Sequence, residues 1–226
     1  MDWIRSFQLF LFDFDGLLVN TEHLHYQAYL NMLSARGCPV DWSFLKFCSL
    51  AHLNSDALRQ QIYAEFPTLD PDWKTLYAEK KQIYFDLIQS GKIELMPGVE
   101  PLLRRLDKEG IRRCVVTNSF FSQIQLIRSQ HPVLQTIPHW ITREDYSLPK
   151  PHPEGYLRAI ELYGKTGDRI IGFEDSIRGL QALAATPATP VLICPSHHPL
   201  LEMALPSGAL HFESLESVYS GSDSIV

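Results

Sequence analysis

The chain reads as an α/β protein: a parallel sheet with helices on both faces, interrupted after its first strand by an all-helical block. Two patterns predict this. Short apolar runs alternate with helix-period segments on both sides of that block, the pattern of βα units around a parallel sheet. Between Asn20 and Gly91, by contrast, no convincing strand interrupts the helical periodicity. A third pattern bears on function: several apolar runs end abruptly in carboxylates, hydroxyls or amides.

Leu9-Phe10-Leu11-Phe12 is apolar at every position and is followed by Asp13, Asp15 and Gly16. A run of this length closed by a turn signal predicts a strand buried on both faces. Thr21 to about Arg36 has helical spacing, with Asn20 or Thr21 as the N-cap and Gly37 and Pro39 as the stop. Helical patterning continues from Asp41 to about Ser90: Leu53, Ala57, Leu58 and Ile62 share one face, and Leu76, Ile83, Leu87 and Ile88 another. Asp70-Pro71 is expected to open the later helix, with proline in its first turn. These residues form a candidate insertion, which sets the expected division at 1–18 with 95–226 for the core and 19–94 for the insertion.

Met96-Pro97-Gly98 marks the return to the sheet. Val99–Lys108 is predicted helical, Arg113–Thr117 a strand, Phe120–Gln130 a helix and Trp140-Ile141 a short strand. The stiff loop Pro149-Lys150-Pro151-His152-Pro153 leads into a helix through Tyr163. Arg169–Phe173 is a fourth strand, Ile177–Ala185 a helix, Pro190–Ile193 a fifth strand and Ala209–Phe212 a sixth. Ser220–Val226 carries too little apolar surface to pack and is expected to be disordered.

The chain has 226 residues, 45% hydrophobic, with 20 Lys plus Arg against 26 Asp plus Glu and a net charge of −6. That balance argues against non-specific nucleic-acid binding as the main role. Cys38, Cys48, Cys114 and Cys194 are widely spaced and read as free thiols in a reducing compartment. The run Phe7–Phe12 is too short to span a membrane, and the first residues lack a signal-peptide pattern. A cytoplasmic protein without membrane or nucleic-acid partners is expected, as a monomer or weak homodimer.

In an open α/β sheet the ligand site lies beyond the carboxyl ends of the strands. Asp13 and Asp15, Thr117 with Asn118 and Ser119, and Glu174 with Asp175 fall at three such ends, and Lys150 lies in a stiffened loop between two of them. Two carboxylates at i and i+2 repel unless a cation joins them or one stays protonated, and Mg²⁺ suits oxygen donors of this kind. Each residue also has an ordinary reading. Asp13 to Gly16 is compatible with a solvated turn, Thr117 with a helix cap, Glu174 and Asp175 with the dipole of the next helix, and Lys150 with a solvated loop. Together, an acidic cradle, hydroxyl and amide donors and one fixed positive charge are what phosphoryl transfer requires, with a carboxylate as a possible nucleophile.

DFDGLLVNTE (13–22), VVTNS (115–119), KPHPE (150–154) and GFEDS (172–176), in this order, resemble the motifs of the haloacid dehalogenase superfamily of phosphohydrolases. The likeness runs from about Gln8 to Phe212 and is greatest to the branch with a helical cap after the first strand. It implies a Rossmann-like core, a cap of about four or five helices, and a Mg²⁺-dependent phosphatase acting on a sugar phosphate or nucleoside monophosphate. It further implies that Asp13 is the nucleophile and a metal ligand, and that Asp15 is the general acid and base with its backbone carbonyl on the metal. Thr117 and Asn118 would hold the phosphoryl oxygens, Lys150 would pair with Asp13 and the phosphate, and Glu174 and Asp175 would complete the metal site.

The chain departs from the family pattern at Pro149, where glycine often precedes the lysine, and at Ala184-Ala185-Thr186-Pro187, which replaces a usual Ala-Gly helix exit. A β-phosphoglucomutase-type enzyme is the main alternative. Thr21 and His25 fall where that type carries cap-hinge residues, but the favoured reading is that Thr21 caps a helix and His25 packs at its surface. A mutase also needs a cap cation, for which Lys46, Arg59, Lys80 and Lys81 are candidates. Asp15 counts against a haloacid dehalogenase proper, and the full set of catalytic residue types counts against a non-catalytic module that binds phosphorylated ligands. His23, His25, His197 and His198 lack zinc-site spacing.

Overall fold

The computed structural model describes residues 3–53 and 56–220. The chain divides into two compact units, Met1–Asn20 with Glu94–Val226, and Thr21–Ile93. The division falls at Asn20 and Glu94 because the chain's two passages are laced together there. Asn20 N donates to Glu94 O at 2.9 Å, and Val19 bridges Leu95 in antiparallel fashion.

After strand β1 (Leu9–Phe12) come the four helices of the second unit: α1 (Glu22–Ala35), α2 (Phe44–Leu53), α3 (Ala57–Glu65) and α4 (Trp73–Ser90). Their core gathers Tyr29, Met32, Leu33, Phe47, Leu58, Ile62 and Leu76 from all four. The expected face through Leu53 cannot be followed at that residue, whose side chain lies outside the described residues. α4 starts at Trp73, two residues after Pro71, with Asp72 as its cap rather than the Asp70-Pro71 start expected. The Asp72 carboxylate accepts from Lys74 N, Thr75 N and Thr75 Oγ1, satisfying orphan donors that a proline at the first position merely avoids exposing. Thr21 precedes α1, but its side chain makes no capping bond.

The first unit continues with α5 (Val99–Lys108), β2 (Arg112–Val116), α6 (Phe121–Gln130), β3 (His139–Ile141), α7 (Glu154–Tyr163), β4 (Ile170–Glu174), α8 (Ile177–Ala184), β5 (Thr189–Ile193), β6 (Leu210–Phe212) and α9 (Leu215–Ser220). Every strand pairing is parallel, in the order β3-β2-β1-β4-β5-β6. The central β1 is buried throughout. Its Leu9 and Leu11 pack with Tyr156 and Ala159 of α7 and Leu183 of α8. Phe10 and Phe12 point the other way and stack on Phe173. That alternation is the strand's period of two, and it explains why both faces of the sheet need covering.

β4 extends one residue further than expected, to Glu174, which pairs with Leu192 across the ladder. Three short 3₁₀ turns, Trp3–Ser6, Pro132–Thr136 and Pro199–Glu202, carry no periodic signal and were not anticipated. Helix α9 was also not anticipated; it includes Ser220, so the expected disordered tail begins one residue too early. The rest of that tail, 221–226, lies outside the described residues. The altered helix exit changes little: α8 ends at Ala184, and Thr186 Oγ1 donates to Leu183 O at 2.7 Å. No helix among the described residues is long and apolar enough to cross a membrane.

Candidate active site

The strand order reverses between β1 and β4, so the crevice at their carboxyl ends is the switch point of the sheet. Register brings the motif residues there. Phe12 lies level with Val115 and Phe173, so Asp13 and Glu174 emerge side by side, and Thr117 follows one residue past Val116, which stands beside Asp13. Asp13 N donates to Phe173 O and Thr117 N to Ile141 O, each at 3.0 Å, extending the ladders by one rung.

Lys150 sits at the centre. Its Nζ donates to Asp13 Oδ1, Glu174 Oε1 and Val116 O, each at 2.7 Å, which uses all three ammonium protons. Burial opposes this charge, but the Asp13 and Glu174 carboxylates outweigh it and raise the Lys150 pKa. The Nζ also lies 4.9 Å from the Tyr156 ring centre. Pro149 therefore does not prevent the loop from delivering the lysine.

Glu174 is 0% exposed. Its Oε1 accepts from both Lys150 and the Tyr156 hydroxyl, while its Oε2 has no hydrogen-bond partner. Burial first, and then the charge on Asp13, push its pKa up to about 7 against the pull of Lys150 and Tyr156. One oxygen each from Asp13, Glu174 and Asp175 lie within 4.8 Å of one another. The side chain of Asp15 is not in that cluster: it accepts from Ser119 Oγ. Two glycines make room for the acids. Gly16 has φ +77°, and a Cβ there would come within 1.9 Å of Asp175 Oδ2; a Cβ on Gly179 would come within 1.9 Å of Glu174 Oε2.

Thr117 is buried, and its Oγ1 accepts from Ser119 N at 3.0 Å. Asn118 Oδ1 accepts from the Tyr146 hydroxyl at 2.7 Å and from Lys150 N at 3.3 Å. With its oxygen turned inward, the amide NH₂ is the end of Asn118 left to serve another acceptor.

All seven motif residues, Asp13, Asp15, Thr117, Asn118, Lys150, Glu174 and Asp175, thus meet at one edge of the first unit. Sequence reasoning placed Ser119 at a strand end among the hydroxyl and amide donors without a role of its own, and gave none to Tyr146 or Tyr156. Ser119 lay inside a quoted motif, but a serine after Thr-Asn reads equally well as a turn. The tyrosines carry only the signal of apolar core positions.

In the second unit, His25 is half-buried and packs at the surface of α1 against α4. Its ring stacks on Tyr84 at 3.9 Å, and its Nδ1 lies 2.6 Å from Lys80 Nζ. Burial, and then the charge on Lys80, hold its pKa well below the usual value. Lys80 is 3% exposed and also lies over Tyr29 and Tyr84. The other candidate cations are placed differently: Lys46 pairs with Glu65, Arg59 with Asp56, and Lys81 lies over Tyr77.

Fold and edge together define a class: an α/β enzyme with carboxylates and one lysine gathered at the switch point of a parallel sheet. The chain belongs to the haloacid dehalogenase-like hydrolases, whose family description matches residues 7–186. It is 29% identical over 194 residues to the protein CbbY of Rhodobacter capsulatus, covering 83% of this chain and 85% of that one. It is 29% identical to the mitochondrial (DL)-glycerol-3-phosphatase 1 of Arabidopsis thaliana, over 76% of this chain and 59% of that one. It is 27% identical to a beta-phosphoglucomutase of Mycobacterium bovis, over 76% and 75%. The crystal structure of CbbY from Rhodobacter sphaeroides in complex with phosphate superposes with a TM-score of 0.74 at 23% identity, covering 94% of this chain and 96% of that one. The last comparison speaks for the fold alone.

Proposed function

We propose that this enzyme is a Mg²⁺-dependent phosphatase that hydrolyses a small phosphorylated metabolite, a sugar phosphate or nucleoside monophosphate, through an aspartyl-phosphate on Asp13. The observation that carries the proposal is the placement of Asp13 between Lys150, at 2.7 Å, and the two acids of its cluster. The donor set suits a hard dication. Three carboxylates converge, one buried oxygen of Glu174 lacks a partner, and glycine at position 16 lets the Asp175 carboxylate come close. Asp13, Glu174 and Asp175 would hold Mg²⁺, with the carbonyl of Asp15. The ion would neutralise phosphoryl charge that the acidic edge by itself repels.

The chain's own residues then divide the work. Asp13 attacks phosphorus while the bond to the ester oxygen breaks. Asp15, oriented by Ser119, gives its proton to that oxygen and later takes one from the water that cleaves the acyl phosphate. Lys150 pairs with Asp13 and balances the charge of the phosphoryl group. Thr117 and the Asn118 amide hold the equatorial oxygens. The inserted helical unit acts as the cap that excludes water and selects the leaving group.

One observation favours the mutase as a second reading. A beta-phosphoglucomutase is among the relatives, at 27% identity. Product analysis on phosphorylated sugars separates the two, since a phosphatase releases inorganic phosphate and a mutase returns an isomer. Asp13→Asn should lower kcat by about 1,000-fold or more. Asp15→Asn should slow turnover while keeping affinity for substrate. Robust turnover by the Asp13 variant would exclude an intermediate on that residue.

A further inference from the structure

The two ends of the Asn118 amide are chemically opposite. Turned one way it offers N–H donors, and turned the other way a carbonyl oxygen that repels a phosphoryl oxygen. The last torsion of an asparagine side chain is broad and close to two-fold, so its hydrogen bonds choose the face. Two groups meet the inward atom: the Tyr146 hydroxyl at 2.7 Å and Lys150 N at 3.3 Å. A backbone N–H only donates, so that inward atom is the oxygen. The Lys150 bond is longer than a usual N–H···O bond, whereas the Tyr146 bond has the ordinary length for a hydroxyl. The hydroxyl is therefore the stronger restraint.

Tyr146 also holds the backbone beside that amide. Its hydroxyl lies 2.7 Å from Thr117 O, so one proton is shared between the main chain of Thr117 and the side chain of Asn118. Burial pushes the Tyr146 pKa up to about 12 against the charge on Lys150, and the proton stays in place. The ring is buried in the core with Val116 and Tyr156. Gly155, in the first turn of α7, gives it a seat: a Cβ there would lie 3.1 Å from Tyr146 Cε1 and 3.3 Å from Cδ1.

The loop that carries Tyr146 is tied along its length. Thr142 N and Oγ1 donate to Asp145 Oδ2 at 2.7 and 2.9 Å. Arg143 N donates to Ser119 O at 3.0 Å. The Arg143 guanidinium lies 5.4 Å over the Tyr146 ring and donates to Tyr146 O and Ser147 O. Ser147 N and Leu148 N donate to the two carboxylate oxygens of Glu154. Packing alone would be served by phenylalanine, which has no proton for either acceptor. Granting the phosphatase reading, on which this rests, we infer that Tyr146 is a positioning residue for phosphoryl transfer: its hydroxyl fixes the Asn118 amide with the NH₂ free for a phosphoryl oxygen. It acts through Asn118 and not on the reacting atoms.

The test is a double-mutant cycle on the full-length protein in excess Mg²⁺. The substrate is p-nitrophenyl phosphate, and orthovanadate, which adopts the five-coordinate shape of the transition state, is titrated by calorimetry. Urea unfolding first fixes a temperature at which every variant is folded. Tyr146→Phe keeps the ring and removes the hydroxyl alone; it should lower kcat/KM and orthovanadate affinity about tenfold each. In an Asn118→Ala background the same change should cost less than about twofold, since the group it orients is gone. Thr186→Val, which removes a hydroxyl–carbonyl bond to Leu183 O, should leave both readings unchanged. Unchanged readings in Tyr146→Phe, equal losses with and without Asn118, or an equal loss in Thr186→Val would each overturn the role of Tyr146 and leave the phosphatase standing. Wild type that neither turns over the ester nor binds orthovanadate would instead overturn the phosphatase reading, and this role with it.

Discussion

Tyr156 brings its hydroxyl to the floor of the site, where Glu174 Oε1 already accepts from Lys150. Replacing it with phenylalanine keeps the ring under the lysine but removes one donor from a fully buried carboxylate. Tyr156→Phe should lower stability by about 1–3 kcal/mol, read as a shifted urea midpoint, and lower kcat about tenfold through misplacement of Lys150. An unchanged kcat would confine the tyrosine to packing. His25 makes a second prediction. Its folded pKa lies below its unfolded value, so below pH about 6.5 the unfolded chain binds a proton that the native chain refuses. Stability is therefore lost as pH falls from about 6.5 towards the folded pKa. Between pH 7 and pH 5.5 wild type should lose more stability than His25→Phe, by up to about 1.4 kcal/mol per pH unit; equal losses would show that His25 titrates normally. At this scale the sequence was legible where chemistry sits in motifs, as at Asp13 and Lys150. It was silent on Tyr156 and named Lys80 only as one of four candidate cap cations, because a buried tyrosine or lysine leaves no periodic mark that separates it from an ordinary helix residue.

Among the elements, α4 shows how a local competition is decided. Both Pro71 and Asp72 are acceptable helix starters, and the carboxylate wins because it bonds two backbone donors and a hydroxyl. Asp72→Ala should lower the Tm, whereas a neutral result would mean that tertiary packing alone holds the helix start. The strands were the most readable elements, since β1 and β4 are apolar runs bounded by turn residues. Their ends were less so: β4 reaches Glu174 because Leu192 on the neighbouring strand provides a ladder partner, which is information held outside the segment. The 3₁₀ turns and α9 are too short to show a period and are held by what they pack against.

For the whole molecule, the acidic cluster makes stability and ligand the same question. If Mg²⁺ binds among Asp13, Glu174 and Asp175, then a free concentration 100 times the dissociation constant should stabilise the fold by about 2.7 kcal/mol, measured as a rise in Tm that a chelator reverses. Asp175→Asn should abolish most of that rise; a rise of equal size in the variant would put the ion elsewhere. The sequence by itself determined the order of strands and helices, the place of the helical insertion and the residue types at the strand ends, because period, turn chemistry and motif spacing are properties of neighbouring residues. Only the tertiary structure decided that Lys150 spends its three protons on Asp13, Glu174 and Val116, and that Ser119 holds Asp15. Those are contacts between residues up to 137 positions apart, and burial and charge act through space, where distance along the chain carries no weight.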